Sequence, residues 1–180
     1  MIRKDGIVMI DIELGWRNKL VRFFWGIFWY CLIKPSPVLL HSYRRFVYRM
    51  WGATISAGAH IYPDVRVWLP SNLTVGVGAC LGPGVEVYNV AKVVLCERAL
   101  VSQRTYICTA SHDYERTGFP LIGAEVIIEK GAWISAECFI GPGLRIGANS
   151  VIYARSVVVK TVLDGQVMAG NPAKLLKMRT

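Results

Sequence analysis

Aliphatic side chains recur at every sixth position through most of residues 55–158. A period of six fits neither the 3.6-residue turn of an α-helix nor the two-residue alternation of an ordinary hairpin, so it indicates a repeated structural unit. Small side chains such as Ala59, Ala79 and Ala99 follow most of these positions by four places and suit tight corners. The positions in phase are Ile55, Ile61, Val67 and Leu73, then Val75, Leu81, Val87 and Val93, then Leu95, Val101 and Ile107, and finally Ile128, Ile134, Ile140, Ile146, Ile152 and Val158.

This pattern predicts an all-β solenoid, a parallel β-helix in which each coil has three short sides. Each side would point one aliphatic residue inward, where it stacks on its counterpart in the next coil. An ordinary β-sandwich with accidental periodicity is the alternative, and the large number of positions in phase disfavours it. Glycines such as Gly78 and Gly143 lie between repeat positions, where a tight turn benefits from a residue without Cβ.

The repeat divides the chain into three parts. Residues 1–52 lack the period and are predicted to form a basic and aromatic helical cap at the N-terminal end. Residues 53–165 form the predicted β-helix, and residues 166–180 form a C-terminal tail. Between Ile107 and Ile128 the period fails, which predicts a long loop inserted near residues 109–125. Because loops carried on a rigid scaffold commonly hold functional residues, we expect the chemistry there.

The apolar run from Val21 to Ile33 is the part of the cap that could contact a membrane. A helix of this length spans about 20 Å, which is short of the roughly 30 Å hydrocarbon core of a bilayer. Two interpretations remain open and are compatible with each other. The helix could cover the open end of the solenoid, or it could lie in the membrane interface with Trp25, Trp29 and Tyr30 at headgroup depth.

Positive charge is concentrated in the same region. The formal net charge is +9, and nine of the Lys and Arg residues fall within residues 1–50. A basic cap on a near-neutral solenoid describes this distribution better than a nucleic-acid-binding surface, so we expect no nucleic acid partner. A second, amphipathic helix from Val38 to Trp51 would place Arg44, Arg45 and Arg49 on its outer side.

The cysteines indicate a reducing compartment. They are odd in number, widely spread and without a CxxC pair, so neither a disulfide framework nor a zinc site is predicted. The charged stretch before Trp16 does not resemble a signal peptide. We therefore expect a cytoplasmic protein, located at the inner face of the cytoplasmic membrane if the cap binds lipid. The cysteines are Cys31, Cys80, Cys96, Cys108 and Cys138.

The segment from Thr109 to Asp113 at the base of the predicted loop contains the candidate catalytic group. Its His112 is one of three histidines in the chain. An imidazole that titrates near neutral pH is the usual group for taking a proton from a hydroxyl, so His112 is a candidate general base. The alternative is that His112 is a polar loop residue without a catalytic role.

Four stretches of the chain resemble the hexapeptide-repeat O-acetyltransferases, which include galactoside, maltose and nodulation-factor acetyltransferases, and most strongly the colanic acid biosynthesis acetyltransferases. The resemblance covers most of residues 16–179. It implies a left-handed β-helix and a homotrimer with three shared active sites. It also implies acetyl-CoA as the co-substrate, no metal, and transfer to a sugar hydroxyl in exopolysaccharide or O-antigen-type glycan synthesis. The stretches are IYPDVRVWLPSNLTVG, SQRTYICTASHDYERTGFPL, VIIEKGAWISAECFIGPGLRIG and GNPAKLLK.

The resemblance also implies roles for individual residues. His112 would deprotonate the acceptor hydroxyl, which attacks the thioester directly in a ternary complex without an acyl-enzyme, and Asp113 would either orient His112 or bind the acceptor. A cysteine nucleophile at Cys108 has little support, because no activating partner is evident. The pantetheine arm would lie against Trp133, Ser135, Ala136 and Ala154, and the CoA phosphates would meet Lys160, Lys174 and Lys177.

Residues of the coil below His112 are candidates for binding the acceptor. Glu86, Tyr88 and Asn89 could face the same cleft, with Tyr88 stacking on a sugar ring. The acceptor would be a free sugar, a nucleotide sugar or a lipid-linked saccharide, the last being favoured by the basic aromatic cap. Outward-facing Trp68, Val90 and Trp133 would give the solenoid an apolar surface for trimerisation.

Competing functions remain open. A γ-type carbonic anhydrase shares the solenoid but requires three histidines around zinc, and we expect His41, His60 and His112 not to meet. A non-catalytic β-helix scaffold is a second alternative. Within the enzymes, the alternatives are an N-acyltransferase acting on an amino sugar and a serine O-acetyltransferase.

Overall fold

The structure is a computed structural model that describes residues 2–4 and 7–179, with side chains described for residues 8–179. Met1, Asp5, Gly6 and Thr180, at the ends of the predicted cap and tail, lie outside the described residues. The body of the chain is a left-handed parallel β-helix of about six turns, which confirms the predicted fold class.

Three sheets form the sides of this prism, and each successive coil adds one parallel strand to each side. The first face contains β3 (Thr54–Ile55), β6 (Leu73–Val75), β9 (Val93–Leu95), β14 (Val126–Ile128) and β17 (Arg145–Ile146). The second face contains β4 (His60–Ile61), β7 (Cys80–Leu81), β10 (Leu100–Val101), β15 (Trp133–Ile134), β18 (Val151–Ile152), β20 (Gln166–Gly170) and β21 (Ala173–Met178). The third face contains β5 (Arg66–Val67), β8 (Glu86–Tyr88), β11 (Tyr106–Cys108), β16 (Phe139–Ile140) and β19 (Val157–Val158).

The in-phase aliphatic residues point into the prism, as the six-residue period predicts. On the second face, for example, Ile61, Leu81, Val101, Ile134 and Ile152 stack in one column and are completely buried. Stacking like side chains in this way makes one continuous hydrophobic core from coils that could not each bury their own apolar side. The core is therefore a rigid support for whatever projects from the corners.

A side sheet leaves the prism at the corner between the third and first faces. It contains β1 (Ile2–Lys4), β2 (Ile7–Asp11), β12 (Ala110–His112) and β13 (Leu121–Gly123), in the order β1-β2-β13-β12. The predicted loop is thus a β-hairpin to which the N-terminal segment adds two strands. This corrects the prediction that residues 1–52 form only a helical cap.

Two helices cover the first coil. They are α1 (Trp16–Phe28), which continues into a π-helical turn (Trp29–Ile33), and α2 (His41–Met50). A 3₁₀ turn (Pro70–Asn72) joins the first and second coils. None of the helices in the described part of the chain has both the length and the hydropathy needed to cross a bilayer.

Side chains of the helical cap bond to the exposed carbonyls of the first coil. In later coils, the carbonyl of an inward residue accepts a bond from the coil below, as Val75 O does from Ser56 N at 2.8 Å. The first coil has no coil below it, so its carbonyls would be unpaired edge groups. Donors from the cap take their place: Arg49 to Ile55 O, Arg45 to Ala59 O, Arg44 to Ile61 O, Trp29 and Tyr48 to Val65 O, and Trp25 to Val67 O.

This arrangement corrects two predictions about the cap. Arg44 is completely buried rather than outward-facing, and its guanidinium donates to Ile61 O, Ser36 Oγ, Pro37 O and Val38 O. Trp25 and Trp29 are also buried, so they do not lie at headgroup depth. The helical cap therefore covers the open end of the solenoid, and only its outer side can contact a membrane.

The C-terminal tail also differs from its predicted boundary. Strand β20 pairs with β18 in parallel, so the solenoid continues past residue 165. Strand β21 then folds back antiparallel to β20 through the turn at Gly170, Asn171 and Pro172. The tail therefore closes the upper end of the second face.

Candidate active site

The hairpin that carries His112 is fixed at its base. Strands β12 and β13 pair with Ala110 opposite Gly123 and His112 opposite Leu121. A Cβ on Gly123 would lie 2.9 Å from Thr109 O and would collide with the Ile12 side chain. Glycine is therefore required where the hairpin, the corner and the N-terminal segment meet.

His112 is exposed at the end of β12. Its Nδ1 is hydrogen-bonded, and its Nε2 can accept a proton. Its Nδ1 lies 2.6 Å from Phe119 O. A carbonyl oxygen only accepts hydrogen bonds, so Nδ1 carries the proton of the neutral ring and Nε2 keeps its lone pair. The geometry thus provides an oriented proton acceptor on an exposed edge.

Phe119 presents this carbonyl from an unusual backbone conformation. Its φ is 47°, in the left-handed region that a non-glycine residue rarely adopts. Phe119 N donates to Arg116 O at 3.1 Å, which closes the turn before β13. The loop geometry is therefore maintained against a local conformational cost.

Asp113 follows His112 and organises the loop. The residue is buried, its N–H donates to Pro120 O at 3.0 Å, and its Oδ1 accepts from Glu115 N at 3.2 Å. Its Oδ2 lies 3.6 Å from Arg116 Nε. These contacts hold the end of β12 close to the start of β13, so Asp113 maintains the loop geometry next to His112.

Arg116 links the loop to the N-terminal segment, a connection that the sequence did not predict. Its Nη1 and Nη2 lie 3.1 and 3.0 Å from the two carboxylate oxygens of Asp11 in β2. The hydrogen bond to the Asp11 carboxylate raises the pKa of Arg116. No local signal relates these residues, because they are more than a hundred positions apart in the chain.

Of the predicted acceptor residues, two lie on the outer surface and one does not. Glu86 is exposed on β8 with Oε1 3.9 Å from Arg66 Nη1. Tyr88 lies at the root of the hairpin, since its carbonyl accepts from both Thr109 N and Thr109 Oγ1. Asn89 is completely buried, and its amide bonds to both Leu69 N and Leu69 O. Asn89 joins two coils at the corner, so its predicted contact with an acceptor is corrected.

A groove of about 450 Å³ lies between α1 and the third face. An aromatic ladder of Trp68, Tyr88, Tyr106 and Phe139 runs along this face with ring centroids 5.6, 6.5 and 6.0 Å apart. The groove is lined by the first three of these rings and by Arg22, Arg66 and Glu86, among others. An aromatic surface with a few charged groups suits a sugar-containing ligand.

The residues predicted to hold the pantetheine arm lie near the corner between the second and third faces. Within the described residues, the N–H groups of Ala136 and Ala154 have no hydrogen-bond partner. Ser135 N and Trp133 N are instead bonded to Ile152 O and Ser150 O in the coil above. Only the Ser135 side chain and the half-exposed indole of Trp133, whose Nε1 donates to Ser102 Oγ at 3.0 Å, remain available.

The free N–H groups of successive coils form a row, and the sequence analysis predicted only two of its members. The equivalent turn position is Pro63 and Pro83 in the first two coils, and Gln103, Ala136 and Ala154 in the next three. Proline has no N–H, so free donors begin at the coil that carries the hairpin. Gln103 therefore joins the predicted donor-binding residues. Such a row of outward N–H groups fits the amide and thioester oxygens of a pantetheine arm.

The predicted phosphate-binding lysines are exposed at the upper end of the molecule. Lys174 and Lys177 lie on β21, whereas Lys160 follows β19 at the corner of the third and first faces. Ala154 precedes β19, at the corner between the second and third faces, so it lies at the opposite end of β19 from Lys160. One protomer therefore does not bring all the predicted donor residues together.

His112 and the free N–H row are likewise on opposite edges of the third face. The hairpin leaves the prism after Cys108, whereas Ala136 and Ala154 lie at the other corner. The base and the predicted donor groups of one chain thus face different sides.

The remaining histidines and cysteines do not form a second reactive centre. His41 and His60 contact each other, with ring centroids 4.8 Å apart, but His112 does not join them. His112 is on a different element, and within residues 8–179 no group of three potential metal ligands is found. Burial raises the pKa of the Cys108 thiol, whose Sγ lies 3.1 Å from Ala110 O.

Comparison with known proteins is consistent with this architecture. No family model matches the chain. The "Putative colanic acid biosynthesis acetyltransferase WcaF" of Escherichia coli strain K12 is 31% identical over 170 residues, which are 94% of this chain and 88% of that protein.

Solved structures share the fold. Galactoside acetyltransferase in complex with coenzyme A has a TM-score of 0.84 at 19% identity and covers 96% of this chain and 86% of its own. A hexapeptide-repeat-containing acetyltransferase of Vibrio cholerae, complexed with acetyl coenzyme A, has a TM-score of 0.80 at 24% identity and covers 92% of this chain and 91% of its own. The coil architecture and the near full-length relationship to WcaF show that the chain belongs to the hexapeptide-repeat acetyltransferase family and is an acyltransferase.

Proposed function

We propose that the protein transfers the acetyl group of acetyl-CoA to a sugar hydroxyl, with His112 as the general base. The observation that carries this proposal is the contact of His112 Nδ1 with Phe119 O at 2.6 Å, which leaves Nε2 free on an exposed hairpin. The acetyl-CoA and coenzyme A complexes of structural relatives support the choice of donor. The name of the WcaF relative supports a role in extracellular polysaccharide or O-antigen-type glycan synthesis.

The reaction requires one proton acceptor and proceeds in a ternary complex. His112 Nε2 takes the proton of the acceptor hydroxyl, and the hydroxyl oxygen attacks the thioester carbon. When the carbon–sulfur bond breaks, the imidazolium returns the proton to the departing thiolate. Phe119 O stabilises the protonated ring through Nδ1–H, and Asp113 maintains the loop that presents Phe119.

The environment of the Cys108 thiol, at the root of the hairpin, favours direct transfer over an acyl-enzyme. Burial raises the pKa of Cys108, which disfavours the thiolate needed for an acyl-enzyme. Its Sγ also lies against a backbone carbonyl rather than a base. Cys108 is therefore a packing residue at the root of the hairpin in this mechanism.

The donor would lie along the corner with the free N–H groups. Gln103, Ala136 and Ala154 would donate to the amide and thioester oxygens, and the N–H nearest the thioester would stabilise the developing oxyanion. Trp133 and Ser135 would contact the arm through their side chains, and Lys160, Lys174 and Lys177 would meet the phosphates as point charges.

A homotrimer would combine the two halves of this site. His112 and the N–H row lie on opposite edges of one protomer, so a head-to-tail ring brings the hairpin of one chain to the N–H corner of the next. Half-exposed Trp133 supplies apolar surface for such a contact, whereas Val90, predicted to do the same, is buried. Three copies would thus form three shared sites.

The acceptor would approach between Tyr88, Glu86 and His112. Tyr88 offers a ring for stacking and Glu86 a carboxylate for sugar hydroxyls. We place the protein in the cytoplasm, with α1 at the inner face of the membrane. The exposed Phe23, Phe24 and Tyr30 and the basic Arg17 and Lys19 support that contact.

Replacement of His112 tests the proposed function. General-base catalysis contributes about 10²–10⁴ in rate, so His112→Ala should reduce kcat by that factor while the Kd for acetyl-CoA stays within twofold. The measurement is thiol release during transfer to a panel of glycosides and oligosaccharides, with product identification by mass spectrometry. Activity of His112→Ala equal to that of the wild type, or acetylation of amines only, would contradict the proposal.

A further inference from the structure

The groove between α1 and the third face has features that the proposed transfer reaction alone does not require. It lies between α1 and the third face over the first three coils, and two of its lining residues are arginines. Coils are spaced about 4.8 Å apart, so the lining from Arg66 in the first coil to Tyr106 in the third spans about 10 Å. The groove is thus long enough to hold more than the single hydroxyl that reacts.

The two arginines are fixed by the aromatic rings that line the groove. The guanidinium of Arg22 lies 4.1 Å from the ring centroid of Trp68, and its Nε donates to Asn18 Oδ1 at 2.8 Å. The guanidinium of Arg66 lies 5.3 Å from the ring centroid of Trp29. Stacking on a ring leaves the edge of a guanidinium free for hydrogen bonds, which is how arginine recognises phosphate groups.

Charge in the groove is positive overall. Among its lining residues, Glu86 is the only carboxylate against Arg22 and Arg66. The ion pair between Glu86 and Arg66 is loose, at 3.9 Å, and both side chains are about half exposed or more. An anionic ligand could therefore take over Arg66 without breaking a strong internal contact.

The groove also adjoins the root of the hairpin, because its lining includes Tyr88, whose carbonyl accepts from Thr109 N. Ile12 N donates to Leu121 O at 2.9 Å, and Leu121 is paired with His112. Four residues later α1 begins at Trp16, so the helix starts near the hairpin, and the following Trp29 donates to Val65 O beside the third face of the first coil. The groove lining thus includes Tyr88, at the root of the hairpin, and Trp29 and Tyr30 of the cap.

We infer that this groove binds a glycosyl diphosphate, with the diphosphate on Arg22 and Arg66 and the sugar on the aromatic ladder toward His112. This inference rests on the proposed function, because it identifies the class of acceptor that is acetylated. The shared chemistry is a sugar joined to a diphosphate, and the remaining group is either a nucleoside or a polyisoprenoid lipid. The lipid would leave the groove at the apolar side of α1.

Isothermal titration with matched probes tests the inference. The probes are UDP-glucose, farnesyl-diphosphate-linked glucose in detergent micelles, and methyl glucoside as the neutral control. The wild type should bind at least one diphosphate probe about tenfold or more tightly than methyl glucoside. Arg22→Gln and Arg66→Gln should each weaken that binding about tenfold, the loss expected for one charge-assisted hydrogen bond.

Two further variants serve as controls for a general loss of positive charge and for misfolding. Arg98→Gln removes an exposed arginine that pairs with Glu97 at 3.0 Å on another corner, and it should bind the diphosphate probes as the wild type does. Glu86→Gln removes the negative charge from the groove but keeps a side-chain oxygen that can accept from a sugar hydroxyl. It should therefore strengthen diphosphate binding severalfold, a gain that misfolding cannot produce. Preference for the farnesyl or the uridine probe identifies the source of the diphosphate, and either preference supports the inference.

The inference fails if neither diphosphate probe binds more tightly than methyl glucoside. It also fails if Arg22→Gln and Arg66→Gln bind as the wild type, or if Arg98→Gln is weakened equally. These outcomes are distinct from failure of the proposed function. Arginine-dependent diphosphate binding without acetyl transfer would remove only the latter, whereas His112-dependent transfer without diphosphate preference would remove only the former.

Discussion

At the scale of single residues, catalytic geometry in this protein depends on how His112 is held. The ring is exposed, so its orientation comes from Phe119 O and not from packing. Phe119 in turn depends on a loop whose buried Asp113 contacts Arg116. The ion pair of Arg116 with Asp11 then connects the loop to a strand from the far end of the chain.

Asp11 is therefore expected to be a positioning residue. Asp11→Asn should lower kcat about tenfold through misplacement of the hairpin, with the Kd for acetyl-CoA unchanged. Exposed ion pairs contribute about 0–1 kcal/mol, so the melting temperature should change little. Steady-state kinetics and thermal unfolding measure both. Recovery of kcat in Asp11→Glu would support positioning, whereas a fall in melting temperature that accounts for the lost activity would contradict it.

At the scale of elements, the helical cap is joined to the solenoid by polar contacts as well as by packing. His41 in α2 has its Nδ1 3.0 Å from Ile61 O and its ring against His60, with Arg44 and Arg45 nearby. Burial is the main cause that lowers the pKa of His41, and the neighbouring cations lower it further. The folded cap thus favours the neutral ring.

This lowered pKa predicts that acid weakens the protein. A histidine whose pKa is lower in the folded state binds fewer protons than it does in the unfolded chain. The free energy of unfolding should therefore be highest above pH 6.5, the ordinary value, and should fall as the pH decreases from 6.5 toward the folded pKa. Urea unfolding at a series of pH values tests this. His41→Gln should flatten the pH dependence in that window, and an unchanged slope in this variant would contradict the assignment.

The elements also show what the sequence could predict. The six-residue period identified the core because spacing alone decides which side chains face inward. Arg44 was misplaced because a charged helix face normally meets water, whereas here the unpaired carbonyls of the first coil provide buried partners. The N-terminal strands were missed because β2 pairs with β13 across more than a hundred residues. Asn89 was misassigned because its bonds to Leu69 depend on the stacking of coils, which a linear pattern does not describe.

At the scale of the whole molecule, the site is divided between two edges of the prism. Replacing Ala154 by proline at the corner with the free N–H groups should weaken donor binding without lowering the stability of the fold. Ala154 occupies the same turn position as Pro83, and the following Arg155 has a φ of 60°, like Gly84 at 65°. Proline is therefore compatible with the backbone at position 154 while it removes the free N–H.

Mixing two variants tests whether sites are shared between subunits. Ala154→Pro should keep the melting temperature of the wild type and weaken acetyl-CoA binding about tenfold, and His112→Ala should be nearly inactive. Dissociating and reassembling the two variants together should restore part of the activity, because some sites then combine an intact His112 with an intact Ala154. Ala57→Pro on a different corner is the matched control for the proline. Absence of any recovery on mixing would contradict the shared site.

Coverage of the first coil by the cap and of the upper end of the second face by β21 has a consequence for aggregation. Below the first coil, the helices occupy the carbonyls to which another chain could attach, and above the last coil the outermost strand is β21, which carries Lys174 and Lys177. Charged lysines on an edge strand discourage end-to-end pairing. This arrangement disfavours axial polymerisation of the protein into fibres and favours assembly through the sides of the prism.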